Sequence, residues 1–278
     1  MNEATARPTE TGGDEPVVVF EHVSLSFDEK VILKDVNFTL RRGRTKIILG
    51  ASGAGKSLSL KILLGLLKPD GGTVMVNGAR IDQLSEREMM AIRTNIGMVF
   101  QEGALFDSLT VRENVGYRLY EETDAPLEDV HRRVEEVLGF VGLSEFIERM
   151  PGELSGGQRR RVAIARAMCA KPDILLYDEA TTGLDPITAL TVDDEIIKLR
   201  DLENASSILV THQLRDAFYV ATRAAVRDPD GTIRIVMADQ EKERETEFVM
   251  LRDGLIVFDG DAAALRSSTD EYIKKFLS

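Results

Sequence analysis

The chain has 278 residues, 43% of them hydrophobic, and its 35 basic and 47 acidic residues give a formal net charge of −12 at pH 7. An acidic chain disfavours nonspecific binding to nucleic acid and direct adsorption to anionic lipid, because both need a positive surface. A single cysteine, Cys169, excludes an internal disulfide, fits a reducing compartment and is expected to fill core space.

The first segment, residues 1–16, is polar and rich in Thr, Glu and Gly, which predicts a disordered tail. We expect no export signal there, since it is neither basic nor apolar. We also expect no membrane anchor, because no apolar run approaches the roughly 18 residues that span a bilayer. Any contact with a membrane would then go through a protein partner.

Short strand-like runs follow from Val17 to about Gly50 and again from Thr73 to Ile81. Turn signals separate them at Pro69-Asp70-Gly71-Gly72 and at Asn77-Gly78. The pattern predicts an antiparallel sheet built from these two regions.

The segment Gly50-Ala51-Ser52-Gly53-Ala54-Gly55-Lys56-Ser57 follows the apolar run 46–49 and precedes an apolar-periodic helix predicted from Leu58 to Leu67. A strand, a glycine-rich turn and a helix in this order are typical of a phosphate-binding P-loop. The glycines let backbone N–H groups point at phosphate oxygens, and the helix adds its positive end. Lys56 would reach the β- and γ-phosphates, and Ser57 would help to hold Mg²⁺. This motif alone does not choose among kinases, GTPases and transport ATPases.

The chain then turns helical, which predicts a helical subdomain at about 102–165. Capping boxes mark two helix starts, Ser85-Glu86-Arg87-Glu88 and Thr110-Val111-Arg112-Glu113. The segment from Leu127 to Val141 has an apolar face and a charged face, as a packed helix needs.

The signature segment, Leu154-Ser155-Gly156-Gly157-Gln158, opens a helix-like stretch from Arg159 to Ala170. Ser155 is a good N-cap and the glycines leave N–H groups open to an anion, so a second phosphate-binding helix start is predicted, although an ordinary capped turn would look similar. The apolar run Ile174–Tyr177 then ends in Asp178-Glu179, as a buried strand of an α/β fold ends at its ligand site. Asp178 suits a Mg²⁺ ligand and Glu179 a base. From Leu154 onward strand and helix alternate, which predicts a parallel sheet.

With these motifs the chain resembles the ATP-binding subunit of ABC transporters from about Val17 onward. The remaining family elements are Gln101, the loop Gly183-Leu184-Asp185-Pro186 and His212, in the family's order and approximate spacing. The resemblance implies an α/β fold over residues 17–278: a P-loop NTPase (RecA-like) core, an antiparallel β subdomain and a helical signature subdomain.

The resemblance also implies roles for single residues. Two copies would sandwich two ATP molecules head to tail, with Glu179, His212 and Gln101 catalytic and Ser57, Gln101 and Asp178 around Mg²⁺. Phe27 would stack on adenine, although a half-buried strand residue is the alternative. The residues implied to contact ATP are Phe27, Gly50, Ala51, Ser52, Gly53, Ala54, Gly55, Lys56, Ser57, Leu58, Ser155, Gly156, Gly157, Gln158 and Asp185.

The run from Gln101 to Val115 and the end of the chain, Asp270–Leu277, look like the Mla/Mce branch of the family, whose members drive lipid transport. Amino-acid importers carry related sequences, so another cargo remains open, as does a soluble ABC ATPase acting in DNA repair or translation. The branch implies a homodimer on the inner face of the cell membrane, with permease subunits and Mce-type lipid-binding proteins as partners and no nucleic acid.

Three departures from the family are visible. Ala180 follows Glu179 where proline is common, and Gln213 follows His212 where aspartate is frequent; neither removes a core role. A hairpin insertion is predicted at about 226–247, with its turn at Asp228-Pro229-Asp230-Gly231. It could be a solvated decoration or a site for a regulatory or dimer partner.

Overall fold

The structure is a computed structural model and describes residues 15–277. The predicted polar tail, 1–16, lies outside the described residues except for its last two positions. The described strands are β1 (Pro16–Phe27), β2 (Lys30–Arg41), β3 (Thr45–Gly50), β4 (Gly71–Val76), β5 (Ala79–Arg80), β6 (Ile96–Val99), β7 (Ile174–Asp178), β8 (Ser206–Val210), β9 (Arg223–Arg227), β10 (Ile233–Met237), β11 (Thr246–Arg252) and β12 (Leu255–Asp261).

The helices lie between and after these strands. They are α1 (Lys56–Leu63), α2 (Glu86–Arg93), α3 (Val111–Glu122), α4 (Leu127–Phe140), α5 (Gly156–Cys169), α6 (Pro186–Leu202), α7 (Leu214–Thr222), α8 (Gln240–Glu243), α9 (Ala262–Arg266) and α10 (Glu271–Leu277), with short 3-10 turns at Ser144–Phe146 and Pro151–Glu153. Within residues 15–277, no helix is both long and apolar enough to cross a bilayer.

The predicted antiparallel sheet is present, with four strands in the order β2-β1-β4-β5. Asn77 and Gly78 both have positive φ, 47° and 77°, which is the backbone of the tight turn that joins β4 to β5. The prediction that the segment up to Gly50 belongs to this sheet was wrong for its last part. Thr45–Gly50 is buried at every position and pairs in parallel with β8 and β11 instead.

The main sheet has six strands in the order β12-β11-β3-β8-β7-β6, all parallel except β12. Strands β3, β8 and β7 are neighbours; β3 and β7 end on the predicted site residues Gly50 and Asp178, and β8 ends two residues before His212. Because parallel strands end at the same edge, the P-loop, Asp178 and His212 are brought together.

Three helices, α3, α4 and α5, pack on one another beside the main sheet. Both predicted capping boxes are confirmed, at Ser85 with Glu88 and at Thr110 with Glu113. The predicted apolar face of α4 is buried through Val130, Val134, Val137 and Leu138. Cys169 is buried at the end of α5, as expected.

Helix α1 is shorter than the apolar pattern predicts. It ends at Leu63 rather than at Leu67, because Gly65 adopts a φ of 65° that terminates the helix. A Cβ at this position would lie 2.7 Å from Cε of Met89, so close packing also favours glycine.

The predicted hairpin is present as β9–β10 and begins at Arg223, before the expected bounds of about 226–247. The short helix α8 follows it, in a segment where the sequence predicted only charged residues. Both are tied to Asp201 of α6, because Ala225 N–H donates to it at 2.7 Å and the Lys242 ammonium lies 2.9 Å from it. Strand β11 resumes at Thr246, two residues before the expected Phe248, because Thr246 is fully buried beside Thr45 of β3.

Candidate functional site

The P-loop backbone is shaped by glycines that no other residue replaces easily. Gly50 has a φ of 154°, and a Cβ there would lie 2.5 Å from the Leu251 carbonyl oxygen. Gly55 has a φ of 103°, and its Cβ would lie 2.5 Å from Cδ2 of Leu33. The loop therefore keeps a tight curl that opens into the N-terminus of α1.

The start of α1 offers backbone donors. Gly55 is the N-cap and provides no side-chain cap, while Lys56 and Ser57 N–H donate to no acceptor among residues 15–277. Unpaired N–H groups and the helix dipole together make an anion site. Leu58 N–H donates back to Gly55 at 3.1 Å and its side chain packs on the core under the antiparallel sheet, so this predicted ATP contact is also a packing residue.

The Lys56 ammonium lies inside the loop rather than in solvent. It donates to the carbonyls of Gly50 at 2.9 Å and Ala51 at 3.2 Å, and it lies 3.6 Å from the Glu179 carboxylate. A buried cation held by carbonyl oxygens is free to bind a stronger anion such as phosphate. Ala51, Ser52, Gly53 and Ala54 complete the rim of the loop.

Ser57 and Asp178 meet across the site, because Ser57 Oγ donates to Asp178 Oδ1 at 2.7 Å. Burial raises the pKa of Asp178 above its ordinary value, and the hydrogen bond from Ser57 opposes that rise. A hydroxyl and a half-buried carboxylate at hydrogen-bond distance form an all-oxygen donor pair, which is the ligand type that Mg²⁺ prefers.

Glu179 is held by a strained backbone and two side chains. Its φ is 52°, an uncommon value outside glycine, and its N–H donates to Val210 at the end of β8. The carboxylate oxygen Oε2 accepts from Thr182 Oγ1 at 2.7 Å and lies 2.6 Å from Nδ1 of His212. The two predicted catalytic side chains therefore touch.

Two predicted residues stand apart from this cluster. Gln101 follows β6 and is exposed, and its side chain makes no hydrogen bond within the described chain. Phe27 ends β1 and is 44% exposed, whereas its strand neighbours Leu25 and Val23 are buried. An aromatic ring left this open at a strand end is available to stack on a ligand.

The predicted N-cap of the signature segment is confirmed. Ser155 Oγ accepts from Gln158 N–H at 3.3 Å, and Gln158 Oε1 accepts from Ser155 N–H at 2.8 Å. Gly156 begins α5, and Gly157 is buried against α6, where a Cβ would lie 2.1 Å from Cγ2 of Thr188.

Asp185 caps α6 in the loop that precedes it, since its Oδ1 accepts from the N–H groups of Ile187 and Thr188 at 3.1 Å. The carboxylate is exposed, and so is the apolar Ile187 beside it, at 78%. This loop therefore presents both charge and apolar surface outward.

Two supporting residues carry no signal in the sequence pattern. Thr182 orients Glu179, and Arg160 ties the helical region to this loop by donating to the carbonyls of Thr182 and Phe100, both at 3.3 Å. Thr182 lies only three residues after Glu179, so proximity could have suggested it. Nothing in the sequence links Arg160 to residues 22 and 60 positions away.

A groove of about 310 Å³ opens beside Phe100, which precedes Gln101. We call it the Phe106 groove; Phe100, Ala104, Phe106, Tyr117 and Arg166 line it. Phe106 is 43% exposed and lies 4.6 Å from the Tyr117 ring. Arg166 donates at 2.8 Å to the carbonyls of Gly103 and Ala104, which fixes the segment before Phe106.

A buried amide holds the other side of that segment. Asn114 is fully buried, accepts from Phe106 N–H at 2.8 Å and donates to the carbonyls of Phe106, Leu109 and Thr110. The apolar surface at Phe106 is thus rigidly presented by hydrogen bonds to its own backbone.

Known proteins match this chain over the residues just described. The family model "ABC transporter" matches residues 33–182, which is more than half of the chain. The Arabidopsis thaliana protein trigalactosyldiacylglycerol 3, chloroplastic, is 44% identical over 205 residues, 68% of this chain and 59% of that protein. The methionine import ATP-binding protein MetN of Bifidobacterium longum is 40% identical over 220 residues, which are 76% of this chain and 54% of that protein. The chain thus spans little more than half the length of these relatives.

Solved structures agree with the family match. A dimeric post-hydrolysis structure of the ATP-binding cassette MJ0796, bound to ADP and Pi, superposes with a TM-score of 0.70 at 30% identity, covering 88% of this chain and 98% of that one. The predicted fold class, a P-loop core with an antiparallel sheet and a helical region, is confirmed. This chain belongs to the ABC transporter family and has the fold of an ATP-binding cassette.

Proposed function

We propose that this chain is the ATPase subunit of a membrane ABC transporter of the Mla/Mce type that moves lipid across the cell envelope. In this proposal it works as a homodimer at the cytoplasmic face of the membrane, held there by permease subunits. The observation that carries the assignment is the exposed Phe106 groove next to the segment of Gln101, in a chain 44% identical to a relative named for a diacylglycerol lipid.

Nucleotide binding follows from the P-loop geometry. The free N–H groups at the start of α1 and the buried Lys56 ammonium suit the β- and γ-phosphates, while Phe27 is open to stack on adenine. Ser57 and Asp178 fit Mg²⁺ as oxygen ligands, and Gln101 would complete the set. The ion would neutralise phosphate charge when bound. Its binding would also keep Asp178 ionised despite the burial of that carboxylate.

Hydrolysis needs a group that orients or deprotonates water, and Glu179 is placed for this role. Thr182 and His212 hold its Oε2 from two sides, which restricts the carboxylate to one rotamer. His212 would also contact the γ-phosphate and stabilise the charge that develops on it. Lys56 reaches both Glu179 and the phosphate-binding loop, so arrival of a nucleotide would separate Lys56 from Glu179.

Dimerisation supplies the second half of each nucleotide site in this proposal. The start of α5 presents Ser155, Gly156 and Gly157 as donors, yet the P-loop of the same chain already has its own helix start. A head-to-tail pair would place each signature segment on its partner's nucleotide. The exposed Asp185 and Ile187 would lie in that interface.

The Phe106 groove suits a short amphipathic helix of a permease subunit, because its apolar rings are fixed and flanked by the Arg166 and Arg118 cations. Replacing Phe106 with Ala should remove the central apolar contact. We expect copurification of the permease to fall by at least about tenfold, since burying one large apolar side chain contributes about 1.5–3 kcal/mol. The ATPase activity of the isolated subunit should not change.

The test is affinity purification from native membranes through a tag on this subunit, with quantification of copurifying proteins and lipids by mass spectrometry. Leu66→Ala is a matched control, because Leu66 is also exposed and lies outside the groove. Equal permease recovery for wild type and Phe106→Ala would contradict docking at this groove.

The cargo has a second candidate, because MetN, a methionine import protein by name, is 40% identical over more of the chain. The same purification separates the two. Lipid that copurifies in stoichiometric amount with the permease supports the lipid transporter. A permease without lipid that binds a solute-binding protein for amino acids would overturn the lipid assignment and leave the ATPase assignment intact.

A further inference from the structure

Two aspartates, Asp193 on α6 and Asp216 on α7, are buried where these helices pack on each other. Each is about 1% exposed. Both carboxylate oxygens of Asp193, and Oδ2 of Asp216, lack a hydrogen-bond partner among the described residues. Only Oδ1 of Asp216 is satisfied, by Nε of Arg215 at 2.8 Å. A buried carboxylate without a partner is strongly disfavoured in its charged form.

The surroundings do not offset two negative charges. Within residues 15–277, the charged groups that act on Asp193 are Asp216 and Arg215 on α7 and Asp194 on its own helix. Asp194 is an acid that accepts from Tyr219 at 2.9 Å, and the Arg215 side chain is 47% exposed and already bonded to Asp216. A single half-exposed cation therefore faces three carboxylates.

Burial and a nearby negative charge both favour the protonated form of a carboxyl group. Burial first, and then the charge of Asp216, raise the pKa of Asp193 to about 8. A metal ion is the other cation that such a pair could take. However, no group of three or more His, Cys, Asp or Glu side chains in the described part of the chain is arranged to hold one.

We propose that Asp193 holds a proton in the folded chain, and that the neutral carboxyl lets α7 pack against α6. Helix α6 starts directly after Asp185, and α7 starts two residues after His212. Loss of the proton would leave a buried charge on Asp193 without a partner, which would loosen the packing of α7 and move His212 away from Glu179. The effect on turnover rests on the proposed role of His212; the proton on Asp193 does not.

The sign of the pH effect follows from linkage. Since the folded-state pKa of Asp193 lies above the unfolded value, the folded chain holds a proton that the unfolded chain has lost between about pH 4 and pH 8. Stability from this proton is complete below that window, falls as pH rises through it and is gone above about pH 8. An amide at position 193 needs no proton and should escape the loss.

The experiment measures melting temperatures of the full chain from about pH 5 to about pH 9 for wild type, Asp193→Asn and the control Asp194→Asn. We expect the difference between the two melting temperatures, Asp193→Asn minus wild type, to increase as the pH rises. The increase should be up to about 3 °C per pH unit until about pH 8, after which the difference should stay constant. Asp194→Asn, the same chemical change one residue along, should give a nearly constant difference.

Infrared spectra of the wild type keep the proposal testable if Asp193→Asn does not fold. A protonated carboxylic acid band should be present near neutral pH and disappear above about pH 8. Its absence, or parallel melting curves for wild type and Asp193→Asn, would overturn the proton on Asp193. So would Mg²⁺ or Ca²⁺ alone raising the melting temperature of the wild type but not of Asp193→Asn, because the pair would then hold a metal ion.

The coupling to His212 has its own readout. The ATPase rate at about pH 9, divided by that at about pH 7, should be higher for Asp193→Asn than for wild type. Equal ratios, with the melting result as expected, would refute the coupling and leave the proton on Asp193 in place. An Asp194→Asn ratio equal to that of wild type would assign the effect to the buried pair.

Discussion

The two glycine-rich helix starts of this chain, before α1 and before α5, look alike in sequence and differ in structure. At α1 the N-cap is Gly55, which provides no side-chain cap and leaves the first N–H groups free beside Lys56. At α5 the N-cap is Ser155, whose capping box with Gln158 pairs the N–H groups of these two residues, while those of Gly156 and Gly157 have no acceptor among residues 15–277. The first start has no side-chain cap, whereas the second is stabilised by its own cap and still has donors to offer.

This difference indicates a division of roles. The α1 start has a buried cation, a hydroxyl–carboxylate pair and the proposed catalytic carboxylate within reach, which are the groups that the proposed site for a nucleotide phosphate needs. The cation that follows the α5 start, Arg159, donates instead to the Leu154 carbonyl at 2.6 Å. The α5 start can therefore add donors to a phosphate that another site holds, but it does not form a full site by itself.

The largest loss of ATPase activity is expected from a change in the site at the start of α1. Replacing Glu179 with Gln keeps the hydrogen bonds possible but removes the base, so ATP turnover should fall by about a hundred- to ten-thousand-fold. ATP binding should remain, and a stable ATP-bound dimer should form on size-exclusion chromatography. Glu203→Gln, an exposed acid after α6, is the control. Undiminished hydrolysis by Glu179→Gln would refute the catalytic assignment.

A smaller loss of ATPase activity is expected from a change at the start of α5. The Cβ of Gly157→Ala would lie 2.1 Å from Cγ2 of Thr188, which must displace the start of α5. Because a misplacement of about 1 Å can cost a hundredfold in rate, ATPase activity should drop by about that factor, with ATP affinity of the monomer unchanged.

Two further variants sharpen this comparison. Adding Thr188→Ser to Gly157→Ala removes the clashing methyl group and should restore much of the ATPase activity. Gly152→Ala is the control: its Cβ would have open space around it, so ATPase activity should not change. Loss of monomeric ATP affinity in Gly157→Ala would show instead that the signature segment serves the nucleotide of its own chain.

The smallest effect separates helix capping from ligand contact. Ser155→Ala and Thr110→Ala each remove the hydroxyl of a capping box, so both should lower the free energy of unfolding by about 1 kcal/mol. Only Ser155→Ala should also lower ATPase activity, by about tenfold, because it loses a hydrogen bond to phosphate. Chemical denaturation and a steady-state ATPase assay on both variants measure this. Equal ATPase activity of Ser155→Ala and Thr110→Ala would show that Ser155 does not contact the nucleotide.

Local patterns in the sequence predicted much of this architecture. The caps at Ser85, Thr110 and Ser155 are short-range features, and each was found where its pattern predicts it. Hydrophobic runs predicted β3 and β7, whose ends position Lys56 and Asp178. These features depend on residues within four positions of each other, so single-sequence reasoning can reach them.

Long-range packing set the features that the sequence did not predict. Gly65 ends α1 four residues early through its positive φ, and Met89 of another helix occupies the space that a side chain at this position would need. Thr246 begins β11 early because it pairs with Thr45, which is 201 positions away. The positive φ of Glu179 depends on its bond to Val210, and Arg160 reaches two loops at once. No local pattern contains these partners.

The most direct test of the two-start account uses mixed dimers, purified through two different tags on the two protomers. One dimer pairs Lys56→Ala with Gly157→Ala; the other pairs the double variant with wild type. If nucleotide lies between Lys56 of one protomer and the signature segment of its partner, the first dimer keeps one intact site and the second keeps none. The account predicts ATPase activity in the first mixture only. Activity in the second mixture only would contradict it, because each chain would then complete its own site.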